Sequence, residues 1–251
     1  MATVDRPSRV LTSLRAAVES LAESGALTPP DLAKNIGIPR PSAYRLIGAL
    51  MQDGLAIQQP DGTVTLSTRW LEFGDQALAT STPWFHRDDL LRDLRDSTRL
   101  TVYLGVPRPH RVVCVRRLHG QGVQVLVLRP GGSLPLHVGG VGRITLAFGP
   151  EDPQTYLAAH DPERFTPRSL ETRQSILADV AWSREHHYCV SDEDVTVGVG
   201  AVAAPVLTPS GEFLAALSVA GRRDDIVGHE EELARDVLAI AEQIGKAAQL
   251  S

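Results

Sequence analysis

The residues best suited to chemistry in this sequence lie in the segment RPSAYRLIGALMQDG, which begins at Arg40. Its apolar residues repeat at helical spacing, which predicts a helix with one polar face. The polar residues on that face, all in the first two turns, are Arg40, Ser42, Tyr44 and Arg45. Arginine can donate two hydrogen bonds to a guanine, and hydroxyl groups can reach phosphates or base edges. The segment therefore predicts a surface that reads double-stranded DNA.

The elements around this segment predict a winged helix-turn-helix. Residues 8–24 form an amphipathic helix, a short helix capped by Thr28 follows, and Gly37-Ile38-Pro39 separates it from the polar helix. A hairpin then turns at Asp61-Gly62 and forms the wing. In this motif the first turns of the last helix enter the major groove. The predicted DNA contacts are Arg40, Ser42, Ala43, Tyr44 and Arg45 on that helix, Arg15 and Lys34 on the preceding helices, and Gln58 and Thr63 in the wing.

Beyond a helix from Trp70 to about Thr80, the pattern changes to helices interleaved with strands, which is typical of an α+β domain. A helix at DDLLRDLRD precedes three strand-like runs, LTVYLGV, RVVCVRRL and VQVLVLR. A glycine-rich loop, HVGGVGR, precedes a short helix, ITLAF, and residues 169–188 form another helix. Two further strands flank the turn TPSGE, and an amphipathic helix covers residues 230–250.

The composition narrows the class of protein. The chain has 251 residues, of which 43% are hydrophobic, so it can bury a core, and no uncharged apolar run is long enough to span a bilayer. Two cysteines make no disulfide framework, and we expect a cytoplasmic protein with no membrane partner. The net charge is −5, but residues 1–70 carry seven Lys and Arg against six Asp and Glu. This asymmetry indicates that the two parts face different partners.

The sequence predicts no catalytic site, no metal site and no cofactor. The run GVGAVA at Gly198–Ala203 imitates a dinucleotide fingerprint, but a strand with Pro205 follows it instead of a helix. The eight histidines are scattered, His137 is assigned a structural role, and Cys114 is expected to be buried. The acidic run Ser191–Asp194 could bind a cation or form a solvated turn.

Three segments resemble the IclR family of bacterial transcriptional regulators: LTPPDLAKNIGIPRPSAYRLIGALMQDGLA with PDGTVTLS, LPLHVGGVGRITLAF, and HHYCVSDEDVTVGVGAVAAPVLTPSGEFLAALSVAG. The resemblance implies a winged helix-turn-helix at residues 5–68, a linker helix at 69–80 and a GAF-like effector-binding domain at 81–251. It also implies homodimers, often paired into homotetramers, that bind operator DNA under the control of a small-molecule effector. Arg143 stands where the family often has lysine, and Pro41 where it usually has a polar residue.

The resemblance also implies a site for the effector. Its residues here are Val123, Leu126, Gly140, Val141, Asp192, Val199, Ala201, Ser218 and Ala220. Free N–H groups of a glycine-rich loop before a helix suit a carboxylate. Ala201 and Ala220 replace a cysteine and a serine found in relatives that take small acids, so we expect a more apolar carboxylic acid, with an aromatic acid as the example. The alternative is a metabolite-binding module or enzyme whose helical N-terminus binds another protein.

Overall fold

The computed structural model describes residues 9–79, 83–121 and 128–248. They form two compact units, which divide between residues 81 and 82. In the described ranges, no helix is both long enough and apolar enough to cross a membrane.

The first unit is a small helical domain with a two-stranded wing. Its elements are α1 (Arg9–Ser24), α2 (Pro29–Asn35), α3 (Arg40–Gln52), β1 (Ala56–Gln58), β2 (Val64–Leu66) and α4 (Arg69–Ala79). As predicted, Thr28 caps α2 by accepting a hydrogen bond from the Asp31 amide at 3.3 Å. The wing turns at Gly62, whose positive φ of 84° favours glycine. The core of this unit contains Leu21, Leu32, Ile47, Leu50 and Val64.

Three contacts hold the wing and the start of α4 within this unit. Leu27 pairs with Val64 as an isolated antiparallel bridge, so the chain between α1 and α2 adds to the wing sheet. The first turn of α4 is held by Arg69, which donates to the Asp53 carbonyl oxygen, and by Trp70, whose Nε1 donates to the Leu55 oxygen at 2.8 Å. The start of α4 is therefore fixed to the turn between α3 and β1.

The second unit is built on a six-stranded antiparallel sheet in the order β5-β4-β3-β8-β7-β6. Its strands are β3 (Thr101–Arg108), β4 (Arg111–Leu118), β5 (Ser133–Pro135), β6 (Cys189–Asp192), β7 (Val199–Leu207) and β8 (Phe213–Arg222). Its helices are α5 (Asp88–Thr98), α6 (Gly139–Phe148), α7 (Pro153–Ala159), α8 (Arg173–His186), α9 (Arg223–Ile226) and α10 (Glu230–Ala247), with a 3₁₀ turn at Pro83–His86.

Both faces of this sheet are buried. One face packs with residues of α6, α7 and α8, such as Ile144, Tyr156 and Ile176. The other packs with α5 and α10 through residues such as Leu94 and Val237. Side chains alternate between the two cores along each strand, which is why β7 and β8 are almost uniformly apolar in sequence.

The structure corrects two sequence predictions in this unit. The glycine-rich segment is not a loop before a helix, because α6 begins at Gly139 and contains Gly140 and Gly142. The helix predicted over residues 169–188 begins only at Arg173, where Thr172 and Ser175 form a capping box. Most of the predicted strand VQVLVLR lies outside the described residues.

Candidate functional sites

The outer face of α3 is a cationic and hydroxyl-bearing surface. Arg40 and Arg45 are exposed, Tyr44 is 55% exposed, and Ser42 is half-buried. The Arg45 guanidinium donates to Ser42 Oγ at 3.3 Å, which places two of the predicted DNA contacts side by side. In the described part of the chain, no side chain caps the N-terminus of α3. This end can therefore receive a phosphate or base from outside.

Ala43 does not belong to this surface, and the prediction that it contacts DNA is wrong for its side chain. Its methyl group is completely buried on the inner side of α3, on the same side as Ile47 and Leu50. Its amide donates to the Pro39 oxygen at 3.1 Å. The helical period that exposes Tyr44 and Arg45 turns Ala43 inward.

The other predicted DNA contacts differ in how available they are. Lys34 and Gln58 are exposed. Arg15 is also exposed, but Glu19 lies 3.7 Å from it one helical turn away. Thr63 donates its hydroxyl to Asp61 at 2.6 Å, and this hydrogen bond lowers the pKa of the carboxyl group. Thr63 thus stabilises the wing turn, and its contact with DNA stays a prediction.

A second site lies at the start of α6, where the helix approaches the sheet so closely that only glycine fits. A Cβ on Gly140 would lie 2.8 Å from the Cβ of Ala203, and one on Gly142 would lie 2.6 Å from the Pro135 carbonyl oxygen. Gly139 has a φ of 67°. The glycines therefore bring the backbone of the first helical turn directly onto β7 and β8.

A buried ion-pair network holds α6 in this position. Arg143 donates from Nε to Asp179 at 2.8 Å and from Nη1 to the Val190 oxygen at 2.7 Å, and Asp194 lies 3.6 Å away. Asp194 also accepts from the Gly139 amide at 2.9 Å. Burial by itself would lower the pKa of Arg143, but the neighbouring acidic groups outweigh it and raise the pKa. Within the run Ser191–Asp194, the carboxylate of Asp194 is buried and paired with Arg143. At this residue the run therefore forms neither a cation site nor a solvated turn.

A cavity of about 60 Å³ opens between α6 and the sheet. Six of the predicted effector residues line it: Gly140, Val141, Val199, Ala201, Ser218 and Ala220. The residues that sequence reasoning missed are Tyr103, Leu128, Leu134, Gly139, Ser191, Val195 and Thr196. The lining is mostly apolar, as the two alanine replacements predicted.

Asp192 is not among the described residues that line the cavity, and its contact with the effector stays a prediction. Its carboxylate accepts from Arg223 at 2.7 Å and from Arg168 at 2.6 Å. These two ion pairs give the Asp192 carboxylate a structural role in this part of the unit. The predicted contacts Val123 and Leu126 lie outside the described residues.

Tyr103 is the missed residue with the most distinctive chemistry. Its side chain is buried, with 4% exposed, and within the described chain its hydroxyl has no hydrogen-bond partner. Burial raises its pKa to about 12, although the nearby positive charge of Arg117 acts in the opposite direction. The alternation of Thr101, Tyr103 and Gly105 with Val102 and Leu104 marks the cavity face of β3, and this signal could have identified it.

Three further titratable groups of this unit, His137, Cys114 and Cys189, are buried within it. His137 is buried and contacts the Tyr156 hydroxyl at 3.0 Å and the Glu163 carbonyl oxygen at 3.1 Å, as its predicted role requires. Burial raises the pKa of Cys114 to about 11 and that of Cys189 to about 12, so both thiols are protonated at neutral pH. Across the described ranges, no group of three His, Cys, Asp or Glu residues could hold a metal ion.

Known proteins resemble this chain along most of its length. The sequence is 26% identical over 222 residues to the HTH-type transcriptional regulator XynR of Escherichia coli K12, covering 86% of this chain and 88% of that protein. The structure resembles an IclR homolog complexed with 4-hydroxybenzoate from Microbacterium hydrocarbonoxydans, with a TM-score of 0.81, 22% identity, and coverage of 96% of this chain and 100% of the other. An IclR regulator from Alicyclobacillus acidocaldarius gives a TM-score of 0.84 at 20% identity, over 97% and 100% of the chains.

Family models divide the chain in the same order as its two units. The IclR helix-turn-helix domain matches residues 3–60. The C-terminal domain of bacterial IclR transcriptional regulators matches residues 86–246, which is more than half of the chain. With the helix-turn-helix, the six-stranded sheet and the cavity in place, these matches show that the chain belongs to the IclR family of bacterial transcriptional regulators.

Proposed function

We propose that this regulator binds operator DNA through α3 as a homodimer, and that a small organic acid in the cavity of the second unit controls this binding. The observation that carries the proposal is the division of α3 into a buried apolar face and an exposed face bearing Arg40, Tyr44 and Arg45. Cationic and hydroxyl groups at the first turns of such a helix suit the major groove.

A homodimer supplies the geometry that an operator needs. Two copies of α3 would meet half-sites separated by about 34–36 Å, which is one helical turn of DNA, or by a multiple of that distance. Pairing of dimers into a homotetramer would join two operators. The protein would act in the cytoplasm, where operator DNA and metabolites are both present. These assembly and location proposals follow from the family and from the symmetry of operators.

The cavity suits an acid that is small and largely apolar. Gly140 and Val141 of the first turn of α6 line the cavity, while the Gly139 amide donates to Asp194. The positive end of a helix favours a carboxylate, and Ser218 lies beside Gly140. The apolar lining suits a ring or hydrocarbon chain. The Microbacterium homolog, whose structure contains 4-hydroxybenzoate, supports an aromatic acid as the first candidate. To control DNA binding, the acid must bind one arrangement of the protein more tightly than another.

Binding of the full chain to DNA from upstream of its own gene tests the DNA contacts. The wild type should bind with strong salt dependence. Arg45→Ala should weaken binding by about 1–3 kcal/mol and relax specificity at one base pair. Arg173→Ala, on the exposed surface of the second unit, is the matched control and should bind as the wild type does. Binding by Arg45→Ala equal to wild type would remove Arg45 from the interface, and salt-independent binding would favour the protein-interaction alternative.

Calorimetry with benzoate, 4-hydroxybenzoate and glyoxylate tests the effector. We expect the aromatic acids to bind and glyoxylate to bind weakly. Ser218→Ala should lower the affinity for the aromatic acids, because it removes a hydroxyl next to the first turn of α6. Tight binding of glyoxylate without binding of either aromatic acid would reverse the proposed class of effector.

A further inference from the structure

One row of residues crosses the sheet beneath α6. The pairing of the strands places Arg117 on β4 opposite Tyr103, Tyr103 opposite Ser218 on β8, and Ser218 opposite Ala203 on β7. Residues directly opposite one another in neighbouring strands point to the same face of a sheet. Gly140 lies over Ala203 and Ser218, so Tyr103 stands one strand farther from the first turn of α6.

Tyr103 lines this cavity with a buried hydroxyl that has no partner among the described residues. Ser191 donates its hydroxyl to Asp194, and Ser218 makes a long contact of 3.4 Å with the Val219 oxygen. The Tyr103 hydroxyl is buried and, among the described residues, has no partner at hydrogen-bond distance and angle. The Arg117 guanidinium lies nearby and can donate only to the hydroxyl oxygen, so the O–H remains open as a donor. Buried polar groups in native proteins nearly always have a partner. A bound molecule that reaches this hydroxyl would supply one.

We propose that the Tyr103 hydroxyl binds a second oxygen of the effector, at the end opposite the carboxylate, and thereby selects acids that carry such an oxygen over acids that lack it. This inference rests on the proposed effector function. It assigns the two ends of the ligand to different parts of the cavity: the carboxylate to the first turn of α6, and the second oxygen to β3.

Arg117 favours an oxygen that accepts a hydrogen bond at this end. Its Nη1 donates to the Leu128 oxygen at 3.0 Å, which holds the guanidinium at the β4 side of the cavity, and Leu128 itself lines the cavity. The same positive charge acts on the Tyr103 hydroxyl. Beside a cation, the hydroxyl donates to an oxygen with negative charge density, such as that of a phenol or a second carboxylate.

Tyr103→Phe removes this hydroxyl and keeps the ring. Calorimetry of the full chain with 4-hydroxybenzoate and with benzoate should show that wild type prefers 4-hydroxybenzoate. Tyr103→Phe should bind 4-hydroxybenzoate about tenfold more weakly, while its affinity for benzoate stays the same or rises. Ser183→Ala is the matched control, because Ser183 carries another buried hydroxyl without a partner in the described chain but does not line the cavity. It should leave both affinities unchanged.

The outcomes separate this inference from the function on which it rests. If wild type binds both acids and Tyr103→Phe keeps the wild-type preference, the role of Tyr103 is overturned and the effector proposal stands. A water bound at the hydroxyl would give that result. If wild type binds neither acid, the proposed class of effector is overturned, and the assignment of Tyr103 with it. A loss of preference in Tyr103→Phe alone supports the inference.

Discussion

The helices α3 and α6 are similar in length and carry arginine within their first two turns, yet they have opposite environments. In α3, three of 13 residues are buried, and both arginines are exposed. In α6, nine of ten residues are buried, including Arg143. The difference shows that an exposed arginine remains accessible to another molecule, whereas a buried arginine stabilises the fold.

Electrostatics explains why the two arginine environments are not interchangeable. A buried guanidinium is stable only when acidic groups and carbonyl oxygens surround it, as Asp179, Asp194 and the Val190 oxygen surround Arg143. An exposed guanidinium keeps its hydration until a phosphate or base replaces the water. Arg40 and Arg45 therefore remain accessible to a phosphate or base, whereas Arg143 holds α6 in its position.

The largest effect in this comparison is expected from Arg143→Met. The substitution keeps the apolar volume but leaves Asp179 and Asp194 without their cation, so we expect the free energy of unfolding to fall by about 3–5 kcal/mol. Urea denaturation of the full chain, followed by circular dichroism, measures it. The control is Arg173→Met, whose partner Asp161 is fully exposed, and it should change stability by no more than about 1 kcal/mol. Equal effects of the two substitutions would contradict the division between buried and exposed arginines.

Alanine in place of glycine should have opposite effects in the two helices. Gly142→Ala places a Cβ 2.6 Å from the Pro135 carbonyl oxygen and should destabilise the protein by about 1–3 kcal/mol. At Gly48 in α3, the described chain leaves the space for a Cβ open, with no packed neighbour within 4 Å. Gly48→Ala should therefore stabilise the protein by about 0.5–1 kcal/mol through helix propensity. Urea denaturation of the two variants tests both signs, and a neutral Gly142→Ala would show that α6 can move away from the sheet.

The α3 surface could be predicted from sequence because its information is local. The spacing of Ala43, Ile47 and Leu50 along one helix determines which side chains face outward. The same reasoning also explains the one error there, since Ala43 belongs to the inner set. Capping by Thr28 and the wing turn at Gly62 are likewise decided by neighbouring residues.

The cavity could be predicted only in part, because distant strands build it. Family resemblance supplied Gly140 and Ser218, but Tyr103 enters through the pairing of β3 with β8. A register shift in β4 lets both Cys114 and Arg117 lie opposite residues of the same face of β3, Gly105 and Tyr103. Without this shift, the alternation of side chains along a strand would place Cys114 and Arg117, which are three residues apart, on opposite faces of the sheet. The helical state of the glycines also depends on packing against the sheet, so propensity alone predicts a loop.

Removal of an exposed arginine from α3 should change binding and leave stability almost unaffected. Arg40→Ala should reduce affinity for operator DNA by about 1–3 kcal/mol if Arg40 reads a base. If it contacts a phosphate instead, the salt dependence of binding should decrease by about one ion. In either case the free energy of unfolding should change by less than about 0.5 kcal/mol. Titrations at several salt concentrations distinguish the two contacts, and a large loss of stability would contradict a solvated Arg40.

The smallest expected effect is a pH dependence of the free energy of unfolding that arises in the buried region beside α6. Burial lowers the pKa of His137, which lies two residues before α6, while Glu163 and Asp194 act in the opposite direction. The unfolded chain therefore takes up a proton on His137 near its ordinary pKa of about 6.5, and the folded chain does so only at lower pH. Folding stability must then decrease as the pH falls below about 6.5, because the unfolded state binds more protons. Urea denaturation at pH 7.5 and pH 5.5 should show this decrease, and His137→Gln should reduce it while lowering stability at both pH values. A pH dependence identical in the variant and the wild type would assign the effect to other groups of the second unit.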